Sequence, residues 1–163
     1  MKFNVKKADF VSAIQIASKI INSGKITNPV MGGVLLNAES GNLALLGRNG
    51  ETFIELTIPE VEVAAEGNAL APAKQLMEFC KLLPSDTITV TITDNVLSIP
   101  YGKDNNLTLN LMNPADYPMV IWPDGQECVV SAQDLILGIK KVAPSLADNG
   151  APKAFTTGSL IQV

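Results

Sequence analysis

The chain has 163 residues, a net charge of −4, 47% hydrophobic residues and 17% charged ones. That balance carries a folded core and argues against a disordered chain, and the lack of any apolar run of about 18 residues excludes a helical membrane span. Histidine is absent and the only cysteines are Cys80 and Cys128, which removes the commonest general base, the commonest transition-metal ligand and any disulfide framework.

Met1 to Asp9 holds no apolar stretch or cleavage site of a secretory signal, so the cytoplasm is the simplest compartment. Residues 2–5 predict a short strand. From Ala8 to about Asn22, Phe10, Ala13, Ile14, Ala17, Ile20 and Ile21 recur at helical spacing. The opposite stripe, Ser12, Gln15, Lys19 and Asn22, holds no carboxylate. Ser23-Gly24 stops this helix, and a loop from Lys25 to Pro29 follows. Val30–Ala38 predicts an apolar strand, Ser40-Gly41-Asn42 a hairpin turn, and Asn49-Gly50 a second hairpin. Ile54, Leu56 and Ile58 then alternate with polar residues, and Pro59 to Gly67 reads as an acidic, irregular connection.

Ala71-Pro72-Ala73 opens a second predicted helix, with proline tolerated in the first turn. Leu76, Phe79, Cys80 and Leu83 mark its apolar stripe; Lys74, Glu78 and Lys81 lie opposite. Next, Ile88, Val90 and Ile92 alternate with Thr87, Thr89, Thr91 and Thr93, the pattern of a strand with one wet face. Asp94-Asn95 is a tight turn. Val96–Pro100 returns, and Leu107, Leu109 and Leu111 alternate once more. The stretch Asn113 to Asp124, with Pro114, Pro118, Trp122 and Pro123, reads as an extended linker leaning on the domain. Two helices among this many strands predict an α+β fold: antiparallel sheets with two helices packed on one side.

The pattern then restarts. Glu127–Val130 predicts a strand, Ala132–Val142 a helix ended by Pro144, and Phe155–Val163 a strand. Shifted by 125 positions, Asp9–Ala38 lies over Asp134–Val163 without a gap. Asp9 meets Asp134, Ile14 meets Ile139, Gly33 meets Gly158 and Leu35 meets Leu160. A period this long has the size of a domain rather than of a solenoid unit. The expected organisation is one domain over residues 1–122 and the opening of an equivalent one over 123–163.

Several segments together resemble the bacterial sliding clamp, the beta subunit of DNA polymerase III. They are Met1-Lys2-Phe3, Asp9-Phe10, Pro29 ahead of Gly33-Val34-Leu35-Leu36, Pro72-Ala73-Lys74, and Asn113-Pro114-Ala115-Asp116-Tyr117-Pro118. The 125-residue offset looks like the spacing between that clamp's domains. The resemblance implies a DNA-clamp-like fold and a non-enzymatic processivity factor. In that family, three like domains per chain pair head to tail into a ring around duplex DNA, with sheets outside and helices lining the hole. The partners it implies are double-stranded DNA, DNA polymerase III and the clamp loader, with a homodimer if the chain runs to full length. No membrane, cofactor or metal is implied. Lys25 matches a family position that meets DNA, and Lys74, Lys81 and Lys153 are further candidates for the DNA face. Leu107, Leu109 and Leu111 match the strand of the ring-closing contact. Two departures stand out: Leu45-Leu46-Gly47-Arg48 replaces the family's Thr-x-Thr-Asp, and Asn105-Asn106 stands where arginine is usual.

Each candidate has a plainer reading beside it. Lys74 and Lys81 also suit a solvated helix face, with Glu78 placed to pair with Lys74. Cys80 sits on an apolar stripe and reads as core; Cys128 has no activating neighbour. Asp9 and Asp134 suit first-turn positions of helices, and Asp116 sits in the linker. Gly32-Gly33 lacks the lysine and the helix of a phosphate loop. Lys140-Lys141 offsets a helix dipole. Trp122 fits a cap on its own domain. An overall charge of −4 argues against holding a polyanion unless one face carries a local positive field. A reduced clamp-like module that binds protein without encircling DNA is the alternative reading.

Overall fold

The computed structural model describes residues 1–22, 28–118, 121, 124–125, 128–147 and 152–162. The chain divides into two compact units, Met1–Val120 and Ile121–Val163.

The first unit opens with β1, Lys2–Lys6, which buries Phe3 and Val5 on one side. It runs directly into α1, Lys7–Asn22, whose buried residues Phe10, Ala13, Ile14, Ala17 and Ile21 form the predicted stripe. The Phe3 and Phe10 rings meet edge to face, with centroids 6.1 Å apart at 71°, and such a pair adds about 1 kcal/mol beyond area burial. A single 3-10 turn, Pro29–Gly32, is capped by Asn28, whose Oδ1 accepts a hydrogen bond from Val30 N–H at 3.2 Å. An antiparallel meander follows: β2, Gly33–Glu39; β3, Asn42–Arg48; and β4, Phe53–Ile58.

The turn between β2 and β3 holds Ser40 at φ 51° and Gly41 at φ 78°, a two-residue hairpin whose twist matches its strands. Between β3 and β4 the Asn49-Gly50 signal makes a longer loop. There Asn49 Oδ1 accepts from Glu51 N–H and Thr52 N–H, at 3.1 and 2.9 Å.

The second half of the unit repeats the plan: β6, Gly67–Pro72; α2, Ala73–Leu82; β7, Thr87–Thr93; β8, Val96–Tyr101; and β9, Asn105–Asn110. A short β5, Glu62–Ala65, joins the halves. The strands form two antiparallel sheets, ordered β5-β1-β7-β8-β9 and β4-β3-β2-β6. Each half therefore gives its opening strand to the other half's sheet: β1 pairs with β7, and β6 with β2. The inner faces of both sheets and the buried stripes of both helices share one core.

Two stretches differ from the sequence reading. Gly67–Pro72 is a strand and α2 begins after it, because Ala69, Leu70 and Ala71 pair along β2; such alanine-rich segments carry little strand signal of their own. The acidic connection contains β5, held by β1 through Phe3 opposite Val63 and Asn4 opposite Glu62.

The linker does lean on the domain up to Pro118. Met112 N–H donates to Leu70 C=O at 2.9 Å, the Tyr117 hydroxyl to Leu46 C=O at 3.4 Å, and Arg48 Nη1 to Pro118 C=O at 3.0 Å. Trp122 lies outside the described residues.

The second unit contains α3, Ala132–Val142, capped by Ser131, whose Oγ accepts from Asp134 N–H at 3.4 Å. Pro144 lies in the 3-10 turn that ends it. The strands expected at 127–130 and 155–163 do not form among the described residues. Residues 128–130 belong to no strand, and Ala154–Thr157 is a 3-10 turn. A strand exists through its ladder. β2 has β3 and β6 beside it, whereas residues 158–162 have no strand alongside among the described residues.

Candidate nucleic-acid interface

α1 and α2 pack against one another. Lys7, at the start of α1, reaches the end of α2: its Nζ donates to Leu83 C=O at 2.9 Å. That ammonium meets the negative end of the α2 dipole, where a cation is favoured. The start of one helix thus adjoins the end of the other. Since both bury one stripe in the common core, their exposed stripes form one continuous surface.

On α1 the exposed stripe is Ser12, Gln15, Ile16 and Lys19. On α2 it includes Lys74, Gln75, Glu78 and Lys81. Lys74 and Lys81, seven residues apart, project from the same side of α2. Together the two helices carry four lysines against two carboxylates, Asp9 and Glu78, in a chain whose net charge is −4. The remaining carboxylates of this unit lie on strands, turns and the linker. Lys19 and Lys7 complete this surface; their spacing was visible, but only the pairing of the helices groups them with α2.

Lys25 lies outside the described residues. Lys153 is exposed in the second unit, just before the 3-10 turn at 154–157, and its carbonyl accepts from Thr156 Oγ1 at 2.7 Å. Lys140 and Lys141 are exposed in the last turn of α3. Of the candidate set, Lys74 and Lys81 are exposed on one side of α2, and Lys19 is exposed on the neighbouring helix α1.

Leu107, Leu109 and Leu111 point toward the core: Leu109 is 6% exposed, and Leu111 packs against the buried cluster. What β9 offers outward is its backbone. Among the described residues it ends the five-stranded sheet and pairs only with β8, so one edge of its N–H and C=O groups is open there.

The remaining candidates are structural. Gly33 lies close under Leu70 and Met112, and Asp116 occupies a single 3-10 turn capped by Asn113. Cys80 is fully buried, and burial pushes its thiol up to about 12. Cys128 is exposed. A disulfide reagent added to the folded chain at pH 8 is expected to release one thiol equivalent rapidly and the second only on denaturation. Two rapid equivalents would place Cys80 outside the core. Among the described residues no group of three or more Cys, Asp or Glu side chains is arranged to hold a metal ion, and no helix is long and apolar enough to cross a membrane.

Residues 1–121 match the family model of the DNA polymerase III beta subunit, N-terminal domain. The chain is 25% identical over 165 residues to the beta sliding clamp of Pseudomonas putida, covering all of this chain and 44% of that protein. It is 24% identical over 127 residues to the beta sliding clamp of Staphylococcus epidermidis, covering 74% of this chain and 33% of that one. The fold is similar to the crystal structure of the DNA polymerase III beta subunit from Pseudomonas aeruginosa: the TM-score is 0.83 at 24% identity, over 93% of this chain and 41% of that one. The chain thus spans between a third and a little under half the length of the curated relatives it matches.

Proposed function

The chain belongs to the DNA polymerase III beta subunit family, and from that premise we propose that it forms part of a sliding clamp, an arc of a ring that encloses duplex DNA and tethers the replicative polymerase. The α1–α2 surface faces the duplex in this reading, with Lys25, Lys74 and Lys81, and with Lys153 from the second unit. The observation that carries it is the local balance of charge: the helix pair carries four lysines and two carboxylates in a chain whose net charge is −4. A sliding ring needs weak, water-screened contacts to phosphate that carry no sequence information, and exposed lysines on a carboxylate-poor wall suit that need. The partners are double-stranded DNA, DNA polymerase III and the clamp loader, in the cytoplasm, and the clamp acts by enclosure rather than by catalysis. β9 closes the ring through its open backbone edge, with Leu107, Leu109 and Leu111 stiffening that strand from beneath.

Residues 123–163 are, in the same reading, the opening of a second equivalent domain, which makes a ring of paired chains possible. Support comes from α3. Leu135, Ile139 and Val142 are exposed, while their counterparts at the 125-residue offset, Phe10, Ile14 and Ala17, are fully buried in the first unit.

The double variant Lys74→Gln/Lys81→Gln is expected to lower the slope of log affinity for duplex DNA against log salt by about two, measured by filter binding. An unchanged slope would remove both residues from the DNA face. The chain assembled with its partners is further expected to stay on a closed circular duplex and leave once the circle is cut. Equal retention on both forms favours the module that binds protein alone, for which the open edge of β9 is the natural contact.

A further inference from the structure

We propose that Asn49 is a self-modifying site: its side chain closes onto the backbone nitrogen of Gly50 to form a succinimide, which water opens to aspartate or isoaspartate. The site lies in the loop between β3 and β4. It involves none of the residues assigned above to DNA or to the β9 edge, so it stands independently of the clamp reading.

The atoms balance as follows. The Gly50 nitrogen attacks Asn49 Cγ and loses its proton. Nδ2 takes up that proton and leaves as ammonia, and a five-membered ring remains. Water then breaks one of the two bonds from ring carbonyl to nitrogen. Opening at Cγ gives aspartate. Opening at the main-chain carbonyl gives isoaspartate, whose backbone runs through the side-chain carbon.

This reaction needs an accessible nitrogen, a stabilised oxyanion and water. Gly50 is exposed, and a β-carbon built on it meets nothing within 4 Å. The nitrogen therefore lacks the side-chain bulk that hinders its approach in other Asn-X pairs, and water reaches the ring. The sequence holds one further Asn-Gly pair, Asn149-Gly150, outside the described residues.

The fold adds what the dipeptide alone does not have. Asn49 Oδ1 accepts from Glu51 N–H at 3.1 Å and from Thr52 N–H at 2.9 Å. A bond from the side chain to the N–H two residues on folds that side chain over the amide between them, which here is Gly50. Both donors are aimed at the oxygen that gains negative charge as the nitrogen adds to Cγ. Two backbone N–H groups on one carbonyl oxygen are the arrangement that stabilises the tetrahedral intermediate of acyl transfer. Asn49 N–H donates to Thr52 C=O at 3.0 Å, which closes the loop and keeps the donors in place.

The products differ in consequence. Aspartate keeps the backbone and offers both donors a full charge. Isoaspartate lengthens the chain between Arg48 and Gly50, so the bond to Thr52 C=O loses its register at the residue next to Arg48, which holds Pro118 C=O.

The test follows conversion of Asn49 in the whole chain at pH 8 by tryptic peptide mapping and mass spectrometry, which separates this site from Asn149. The reference is the synthetic peptide Leu-Gly-Arg-Asn-Gly-Glu-Thr-Phe, residues 46–53. Conversion in the folded chain is expected to be about tenfold faster than in the peptide, less than the about 100-fold a donor contributes in a dry site. Glu51→Pro, which lacks one of the two N–H donors, is expected to fall toward the peptide rate while circular dichroism shows the fold retained. If that variant does not fold, the native chain against the peptide decides alone. Conversion in the folded chain no faster than in the peptide would overturn the proposal, since the loop would then protect the side chain. An unchanged rate in a folded Glu51→Pro chain would overturn it as well.

Discussion

Replacing Gly47 with valine is expected to destabilise the first unit by about 3 kcal/mol, and replacing it with alanine by about 1 kcal/mol. Gly47 sits on β3 opposite Ile54 of β4, on the face that meets α1. A β-carbon built there would lie 3.1 Å from Ala17 Cβ, 3.2 Å from Ala17 O and 3.3 Å from Ala17 Cα. Two of those three atoms are backbone, so the helix has no flexible tip to turn aside. One methyl asks α1 to yield a few tenths of an ångström. Valine adds two more carbons, and α1 must lift off the sheet, loosening Phe10 and Ile14, which are fully buried beneath it. Close-packed interiors absorb such displacement poorly.

Urea denaturation followed by circular dichroism checks this, and an unchanged midpoint for Gly47→Val would mean that α1 does not bear on β3 at this point. Trimming Ala17 to glycine is expected to recover part of the Gly47→Ala loss despite the weaker helix propensity, since the two residues touch and their effects do not add. Gly50 supplies the contrast. Its φ is 106° with nothing within 4 Å of a built β-carbon, so Gly50→Ala is expected to cost about 1 kcal/mol through backbone strain, with no partner change that relieves it.

The same glycine illustrates what a sequence displays and what it withholds. Leu45-Leu46-Gly47-Arg48 announced a strand, and a departure from the family's usual residues, but not that a helix crosses at Gly47. Local patterns were legible throughout. The threonine and isoleucine alternation of β7, the stripe of α1 and the two tight turns each depend on residues a few positions apart. What lay hidden depends on neighbours distant in the chain. Nothing in Lys2–Lys6 says that this strand joins the sheet of the second half. Nothing in Gly67–Pro72, poor in β-branched residues, says strand until β2 is beside it. Conversely, Phe155–Val163 carries a strand's composition, and among the described residues no strand lies beside residues 158–162.

The candidate site divides the same way. The spacing of Lys74 and Lys81 on α2 was plain. Their grouping with Lys19 needed the helix pair, and the leucines of β9 showed their alternation without showing that the apolar side turns inward.

Raising the pH from 9 to 12 is expected to remove several kcal/mol of the first unit's stability, because two buried groups hold protons there that the unfolded chain releases. Cys80 on α2 is fully buried, and burial alone pushes its thiol from 9.0 up to about 12. Tyr117 is 5% exposed; burial pushes its phenol from 10.0 up to about 12 against an opposing pull from the Arg48 guanidinium. In each case the neutral, protonated form is the one the fold favours. The stabilisation is fully present below the unfolded value, near pH 9 for the thiol and pH 10 for the phenol, and is lost as pH rises through about 12. A rise from 9.0 to about 12 corresponds to about 4 kcal/mol and one from 10.0 to about 12 to about 3 kcal/mol. A domain of this size is stable by about 5–15 kcal/mol, so the two losses together are a large fraction of the whole. Urea midpoints at pH 8, 10 and 11.5 measure it. Tyr117→Phe is expected to cost little at pH 8, since the hydroxyl bond to Leu46 C=O is long at 3.4 Å, and to hold its midpoint better than the native chain above pH 10. Cys80→Ala is expected to start lower, having left a small void on the α2 stripe, and to fall less steeply from pH 9 upward. A native chain whose midpoint stays level from pH 8 to 11.5 would show that water reaches both groups in the fold, and that neither the α2 stripe nor the Tyr117 segment is sealed.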